Sequence, residues 1–274
     1  MTTAAITVRT RAVPAAAKRP GLPGTLRSEL TKIASVRSTY WTLLAQVVAS
    51  IAWAVLNCAG IVSHGASSDF NAAEASLTGQ VALGELIIVV LGALVITSEY
   101  STGMIRTSLA VMPRRGVLYA AKAIVFAAVT LTISLVTSFV AFFVGQAILS
   151  SKHYNTTLGQ PGVLRAVLLS AAIVAVFGLL AYGAGAIIRH TAGAITAILG
   201  VIFLLPALGQ ALPNTWFADL ERWLPGGEAL NPIASSAPPI SDHLFSAWGE
   251  FAVFSGYAVV LLAVGAWLFI RRDA

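Results

Sequence analysis

The charged residues between Thr97 and Lys122 are the first candidates for chemistry in this sequence. Only 10% of the 274 residues are Asp, Glu, Lys or Arg. The stretch TSEYSTGMIRTSLAVMPRRGVLYAAK nevertheless holds a glutamate, three arginines and a lysine between two apolar runs. If a helix begins near Ser98, with Ser98 as its N-cap, Glu99 falls in the first turn, where a carboxylate suits the positive end of the helix.

The same helix would carry a surface suited to docking. Ile105 and Leu109 lie one turn apart, with Arg106 between them and Pro113 as a stop. A short apolar ridge flanked by charge is what a helix needs to bind in a partner's groove. The simpler interpretation is a loop whose basic residues only fix the orientation of the chain in a membrane.

Glu85 is the one clearly ionisable residue inside an apolar run, in TGQVALGELIIVVLGALV. An ionisable group within a membrane is costly and usually faces a cavity or a partner, so Glu85 is a candidate for a substrate path. Because it lies about eight residues into its run, it could instead reach the outer headgroup region or bond to a neighbouring helix.

Other kinds of active site find no support in the sequence. No G-x-x-x-x-G-K-[ST] pattern occurs, so any ATP that drives this protein is expected to bind another chain. The single cysteine, Cys58, excludes a disulfide within the chain and a cysteine-based metal site. The four histidines are scattered, and Asp219 with Glu221 are typical of two solvated acids. We therefore predict no catalytic residue, no metal and no cofactor for this chain, and no enzymatic activity.

The elements that position these residues are predicted to be membrane-spanning helices. The chain is 57% hydrophobic, and its apolar runs are close to the ~20 residues needed to cross a ~30 Å hydrocarbon core. The fold class is an all-α integral membrane protein, with residues 1–23 as a disordered basic tail and 24–274 as one six-span domain. The predicted spans are about 40–62, 77–97, 122–149, 163–188, 192–212 and 248–270.

The basic residues predict the orientation of these spans. Lysine and arginine are retained in the cytoplasm, and six spans put both termini on one side. With the N-terminus inside, all but three of the 17 basic residues fall in cytoplasmic segments. This rule also accounts for Arg114, Arg115 and Lys122 as residues that hold a cytoplasmic loop where the third span begins. Because the basic residues flank spans, we predict no nucleic-acid partner.

An amphipathic helix is predicted before the first span, in GTLRSELTKIASVRSTYW. Leu26, Leu30 and Ile33 lie at helical spacing with charged residues between them. Thr25 is the expected N-cap. The apolar stripe would rest against membrane lipid, while the charged face would meet water or a partner.

The outer connection from Pro213 to Ser246 is long and broken by Pro and Gly. Trp216 and Trp223 suit a membrane–water boundary, and Pro225 interrupts the helical spacing. Broken backbone is tolerated at membrane depth where protein or a water-filled cavity satisfies it. We predict a short re-entrant helix, and the alternative is an irregular surface loop with buried tryptophans.

Small residues recur where helices are expected to touch. Gly178 and Gly185 in the fourth span, and Gly193 and Gly200 in the fifth, lie at spacings that let helix backbones approach closely. They predict a bundle with specific interfaces, which could include a second copy of the chain.

The stretch SEYSTGMIRTSLAVMPRRGVLYAAK resembles the segment after the second span in permeases of the type-2 ABC transporter (ABC-2) family. There a Glu-aromatic pair, a Gly, a basic residue, a Leu, a Pro, one or two Arg and a final Lys recur in this order. The likeness extends in outline over the whole chain. It implies a fold similar to that of type V ABC exporters, with an amphipathic connecting helix, a cytoplasmic coupling helix between spans 2 and 3, and a re-entrant segment between spans 5 and 6.

The resemblance also implies roles for particular residues. The residues of the coupling surface would be Glu99, Tyr100, Gly103, Ile105, Arg106 and Leu109, with Leu30 and Ile33 on the connecting helix. The outer lid would include Trp216, Trp223 and Pro225. The implied partners are a cytoplasmic ABC ATP-binding subunit, which would hold ATP and Mg²⁺, and a second permease copy, identical or closely related, in the plasma membrane of a bacterium.

The paucity of charge within the spans suggests an apolar substrate path. Glu85, Phe142 and Tyr182 are its candidate residues, and a lipophilic or amphipathic compound such as a drug or antibiotic is the expected export substrate. Two alternatives stay open. One is an ion-coupled secondary transporter, which would need inverted repeats and interrupted helices. The other is a non-transporting membrane anchor or assembly protein.

Overall fold

The computed structural model describes residues 22–67, 70–105, 114–204, 207–208 and 246–271. Every regular element in these ranges is a helix. We number them in chain order as α1 (Leu22–Ser35), α2 (Arg37–His64), α3 (Ala72–Ser101), α4 (Arg115–Leu149), α5 (Val163–Ile188), α6 (Thr191–Leu204) and α7 (Ala247–Arg271). One 3₁₀ turn, Ser150–Lys152, continues α4.

Five of these helices, α2, α3, α4, α5 and α7, are long and apolar enough to cross a membrane. The prediction of an all-α membrane protein is thereby confirmed. The predicted fifth span, 192–212, is described only in part. α6 has 14 residues within the apolar stretch, so it is roughly 20 Å long, less than the ~30 Å of a hydrocarbon core. The count of six spans stays a prediction.

Two helices begin before the spans predicted within them. α3 begins at Ala72, five residues before the predicted Leu77, because the Asn71 side chain accepts hydrogen bonds from the amides of Ala73 and Glu74 and caps the helix. α4 begins at Arg115 and not near Lys122. Lys122 therefore lies two turns inside a helix.

Two helices contain a turn of π-helix, which the sequence did not predict. Gln80–Gly84 interrupts α3, and Gly200–Leu204 ends α6. In a π-helical turn, the two residues joined by a backbone hydrogen bond are one position further apart than in an α-helix. The extra residue shifts which side chains the following part of the helix directs toward its neighbours. Such turns are frequent at functional sites, so the surroundings of Gln80 are described with the candidate site.

α5 is the central helix and packs against α3, α4 and α7. Phe177 on α5 and Phe254 on α7 contact each other with ring centroids 4.6 Å apart in the largest apolar cluster of the described residues. Gly178 of α5 lies directly against Gly92 of α3, where an added Cβ on Gly92 would collide with backbone atoms. The predicted close approach is confirmed for Gly178 and Gly185.

α1 differs from its prediction in its start and in the face that it buries. The helix begins at Leu22, so Thr25 is inside it and is not the N-cap. Thr25 and Glu29 are its buried residues, whereas Leu30 is half exposed. The polar face of α1 thus packs on α4, and part of the apolar stripe points away from the bundle.

Candidate functional site

Four charged side chains meet where α1, the last turn of α3 and the second turn of α4 come together. Lys122 Nζ on α4 donates to Glu29 Oε2 on α1 and to Glu99 Oε1 on α3, each at 2.7 Å. Lys32 Nζ lies 2.6 Å from Glu29 Oε1 and 3.5 Å from Glu99 Oε1. We call Glu29, Lys32, Glu99 and Lys122 the charge cluster, and this part of the molecule the α1 end of the bundle.

The charge cluster is buried and electrically balanced. Glu29, Glu99 and Lys122 are only 1%, 2% and 5% exposed, and two positive groups face two negative ones. Ions removed from water need such pairing, because the desolvation of each costs several kcal/mol. Oε2 of Glu99 accepts no hydrogen bond from the described residues, so the cluster is not saturated.

The two α1 members of the cluster have shifted pKa values. Burial raises the pKa of Glu29, but attraction to Lys122 and hydrogen bonds from Lys122 and Lys32 outweigh it, and the net pKa lies below 4.5. Burial lowers the pKa of Lys32, but its hydrogen bond with Glu29 and the charges of Glu29 and Glu99 outweigh it, and the net pKa lies above 10.5. Both groups are therefore charged at neutral pH.

The predicted N-cap at Ser98 is wrong, because Ser98 and Glu99 belong to the last turn of α3. The Ser98 carbonyl accepts the amide of Thr102, and the Tyr100 carbonyl accepts that of Gly103. Gly103 follows with φ +68°, a left-handed conformation that glycine adopts easily and that commonly ends a helix. The carboxylate of Glu99 consequently sits at a negative helix end, where Lys122 and Lys32 compensate it.

Ile105 lies inside the bundle, whereas a docking ridge would need it on the surface; its part in coupling stays a prediction. It is 3% exposed and packs in an apolar cluster with Tyr119, Tyr182 and Phe269. Met104, beside it, is 44% exposed. The left-handed turn at Gly103 thus returns the chain onto the ends of α3, α4, α5 and α7.

Tyr100 joins the same packing through its ring. The guanidinium of Arg189, at the end of α5, lies 5.0 Å from the centroid of the Tyr100 ring. Phe269 of α7 meets Tyr100 edge-on, with centroids 6.4 Å apart. Cation–π and edge contacts of this kind add modest stability. They tie the last turn of α3 to α5 and α7.

The remaining predicted coupling residues fall in two groups. Leu30 is exposed and Ile33 is partly buried against an apolar cluster that contains Leu43 and Phe126. Arg106 and Leu109 lie outside the described residues, as do the predicted lid residues Trp216, Trp223 and Pro225.

Glu85 is close to the middle of α3 and not near either end. It stands thirteen residues after Ala72 in a helix of 30 residues, so it lies about 20 Å along the axis from the start of the helix. The residue is 5% exposed, and Oε2 has no hydrogen-bond partner within the described residues. A buried carboxyl of this kind inside a membrane marks a functional position by default.

The structure does not bring the three predicted path residues together. Phe142 packs with Leu77 and Val163, about 12 Å along α3 from the level of Glu85. Tyr182 packs at the α1 end, where its hydroxyl donates to the Tyr119 carbonyl at 3.1 Å. Both side chains are fully buried in filled packing. Their part in a substrate path stays a prediction.

An interior polar cluster accompanies the π-helical turn of α3. Gln46 Nε2 on α2 donates to Gln80 Oε1 at 3.1 Å, and Gln80 Nε2 donates to the Ser134 carbonyl on α4 at 3.1 Å. Ser50 of α2 completes the cluster, and all four residues are 0% exposed. Gln46 Oε1, Ser50 Oγ and Ser134 Oγ have no partner within the described residues.

Neither cluster was fully predicted, although the sequence held signals for both. Lys122 near the start of an apolar run, with Glu29 and Glu99 as the nearest acids on two other elements, could have suggested an ion pair. Gln46 and Ser50 lie one turn apart in an apolar run and could have suggested a polar face. Which helices meet at these points was not deducible from spacing.

The comparison with known families decides the identity of this bundle. The protein-family model described as ABC-2 family transporter protein matches residues 66–274 of this chain. The chain belongs to the ABC-2 transporter family. The recognition of an ABC-2 permease is therefore confirmed, and the protein is a multi-pass membrane transport subunit. A search of curated proteins found no match.

The family match divides the charge cluster of this ABC-2 permease. Glu99 and Lys122 lie within the matched residues, whereas Glu29 and Lys32 on α1 precede them. α3 and α4 thus contribute the half of the cluster that the family model covers. α1 adds the other half and closes over it.

Proposed function

We propose that this ABC-2 permease is the membrane-spanning subunit of an ATP-driven exporter. A separate ATP-binding subunit would dock at the α1 end of the bundle, which would face the cytoplasm. ATP and Mg²⁺ would bind that partner, since this chain has no phosphate-binding loop in its sequence. Permeases of this family work with an ATP-binding subunit, and the proposal extends that to this chain.

The charge cluster is the observation that carries the proposal. Lys122 joins α1, α3 and α4 through two hydrogen bonds of 2.7 Å, and residues 106–113 connect the latter two helices in the sequence. A displacement of that segment would be transmitted to Glu99 and Lys122, which lie close to its two ends in the sequence. Because the paired charges resist separation in a dry site, the three helix ends would move as one body.

Coupling would arise from two arrangements of the bundle with different affinities for the partner and for substrate. The tight contact of Gly92 with Gly178 holds α3 on α5, so a displacement of α3 would be passed to the central helix. The cation–π contact of Arg189 with Tyr100 supplies a second link between the same helices.

The proposed setting is the plasma membrane of a bacterium. Both termini would be cytoplasmic, a sixth span would be completed after α6, and Trp216, Trp223 and Pro225 would belong to an outer lid. A second permease copy, identical or closely related, would complete the path. Glu85, Phe142 and Tyr182 are proposed path residues, and a lipophilic or amphipathic compound of the drug or antibiotic type is the proposed substrate.

Purification with the natural partner tests the proposal. The full chain is isolated from its own membranes in mild detergent, and bound proteins are identified. We expect a cytoplasmic protein with a phosphate-binding loop, and transport in reconstituted vesicles that requires ATP and is inhibited by vanadate. Transport driven by an ion gradient without such a partner would contradict the exporter.

A charge variant locates the docking site. Glu99→Gln is expected to weaken the coupling of ATP hydrolysis to transport while the chain still inserts, because the cluster loses one of its two acids. Glu74→Gln, at the opposite end of α3, is the matched control and should leave coupling unchanged. If both variants behave alike, docking lies elsewhere.

One observation favours a second candidate, an ion-coupled transporter. The interior polar cluster, the π-helical turn and Glu85 place interrupted backbone and polar groups inside the membrane, as secondary transporters do. The same purification separates the candidates, since only the exporter requires an ATP-binding protein. A non-transporting anchor would show neither kind of transport.

A further inference from the structure

An apolar groove lies between α1, α2 and α4. Its volume is about 470 Å³, within the range of small-molecule sites. Ten of its twelve lining residues are aliphatic or aromatic or are alanine, the other two are threonines, and none is charged. They are Leu30, Ile33 and Ala34 of α1, Thr39, Tyr40, Leu43, Leu44 and Val47 of α2, and Val129, Thr132, Ile133 and Val136 of α4.

The groove lies in one half of the bilayer. Its α2 residues run from Thr39 to Val47, which are the third and eleventh residues of that helix, so the lining ends about 15 Å from the helix start. This depth equals half of a ~30 Å hydrocarbon core. The contents of the groove must therefore be compatible with the acyl-chain region next to the α1 end.

A positively charged residue lies next to the groove at the junction of α1 and α2. Ala34 and Thr39 line the groove on the two sides of the junction between α1 and α2, and Arg37 lies at that junction as the first residue of α2. Arg37 is exposed, and among the described residues no ion pair or hydrogen bond is made by its guanidinium. Val36 offers no side-chain cap to the first turn of α2, so backbone amides there also favour an anion.

We propose that the groove holds one acyl chain of an anionic phospholipid, whose phosphate is bound by Arg37. The aliphatic lining matches a hydrocarbon chain, and the charge at the mouth matches an anionic headgroup. A second copy of the chain fits less well, since twelve residues line the groove and a stable protein interface uses roughly 20–30 per side. The lipid would fasten α1 to α2 and α4 in addition to the charge cluster.

Native mass spectrometry of the full chain tests this site. The chain is purified in mild detergent and titrated with dioleoyl phosphatidylglycerol or with dioleoyl phosphatidylcholine. We expect the wild type to bind one phosphatidylglycerol with a preference of roughly tenfold over phosphatidylcholine. Ala34→Trp, which fills the groove from α1, should lose this binding.

Two further variants separate the site from a folding defect. Thr132→Trp fills the groove from α4 and should give the same loss, so one poorly folded variant does not decide the result. Val260→Trp is the matched control, because Val260 on α7 is 59% exposed. It should bind lipid as the wild type does. Arg37→Gln should remove the preference for phosphatidylglycerol but keep binding of either lipid, whereas Arg114→Gln should retain the preference.

Two results would overturn the proposal. Unchanged phosphatidylglycerol binding in both groove-filling variants would show that the lipid binds elsewhere. A change of oligomeric state in these variants, with no change in lipid binding, would show that a second copy occupies the groove. Both readouts are independent of ATP and of transport, so the result does not depend on the proposed export function.

Discussion

Lys122 is the residue on which the α1 end depends most. Its ammonium group is nearly buried between Glu29 and Glu99, so its removal leaves two carboxylates close together with only Lys32 to compensate them. Breaking a buried pair by removing one partner costs about 3–5 kcal/mol. We expect Lys122→Met to lower the stability of the purified chain by this amount, measured by thermal unfolding in detergent.

Two comparisons make the Lys122 prediction specific. Lys152→Met, at an exposed lysine at the far end of α4, should stay within about 0.5 kcal/mol of the wild type. Lys122→Met combined with Glu29→Gln and Glu99→Gln should recover part of the loss, because the unpaired acids are gone. A loss that is equal at Lys122 and Lys152 would show that the cluster adds nothing.

The shifted pKa values predict how stability depends on pH. The pKa of Glu29 is lower in the folded chain than the ordinary 4.5, so its stabilisation is present above pH 4.5 and is lost as the pH falls through the folded-state pKa. The pKa of Lys32 is higher than the ordinary 10.5, so its stabilisation is lost only as the pH rises through that higher value.

Unfolding of the wild type and of Glu29→Gln as a function of pH checks this prediction. The stability difference between them should be constant near neutral pH and should shrink below pH 4.5. Glu74→Gln, at a partly buried position in the first turn of α3, is the control for general acid effects. A difference that grows toward low pH would contradict the assigned direction of the Glu29 shift.

Gly92 tests the contact between α3 and α5. A Cβ at this position would collide with the carbonyl of Gly178, and a rigid backbone cannot move aside cheaply. We expect Gly92→Ala to destabilise the chain by about 1–3 kcal/mol, as overpacking does. Gly60→Ala, where nothing lies within 4 Å, should be neutral or stabilising by up to about 1 kcal/mol.

At the scale of elements, the π-helical turn of α3 is held by side chains from its neighbours. The Gln80 side chain bonds to both α2 and α4. Gly84 leaves room for the Ser50 hydroxyl, because a Cβ added to Gly84 would lie 3.0 Å from Ser50 Oγ. Replacing Gln80 removes both bonds and leaves buried polar groups unpaired. A regular α-helical turn would then compete with the wide one.

Gln80→Leu is therefore expected to cost about 1–3 kcal/mol and to change hydrogen exchange at residues 80–84. Exchange measured by mass spectrometry on the purified chain reports both effects. Thr42→Val is a suitable control, because among the described residues its hydroxyl bonds only to the Ser38 carbonyl one turn earlier. Unaltered exchange in Gln80→Leu would mean that the backbone alone maintains the π-helix.

For the whole molecule, the sequence predicted what depends on composition and period. Runs of apolar residues predicted the spans, and small residues such as Gly178 predicted close helix contacts. The sequence did not predict the charge cluster. It explains Lys122 by the orientation of the chain in the membrane, and Glu99 by a place in the first turn of a helix. Their roles depend on which helix ends meet, and that follows from packing between elements distant in sequence, which local patterns do not encode.

The number of spans is the remaining question at this scale, and a single position answers it. α5 runs from the end opposite α1 back to the α1 end, where Arg189 lies over Tyr100. α7 ends there too, because Phe269 near its C-terminus packs against Tyr100, so α7 begins at the opposite end. The chain therefore passes from the α1 end to the opposite end between residues 188 and 247, and a sixth span in this part is the prediction to test.

Cysteine labelling at Ser246 tests this prediction. The wild type gives the background, since its only cysteine, Cys58, is buried. In the proposed orientation, Lys152→Cys, beyond α4, would mark the outer side, and Ser35→Cys, at the end of α1, would mark the inner side. Because the connection between residues 213 and 245 holds one arginine, Arg222, and no lysine, we expect it to be external. Ser246→Cys should then react with an impermeant maleimide in intact cells, as Lys152→Cys does. Reaction only after permeabilisation, as for Ser35→Cys, would contradict an external start of α7 and with it the sixth span.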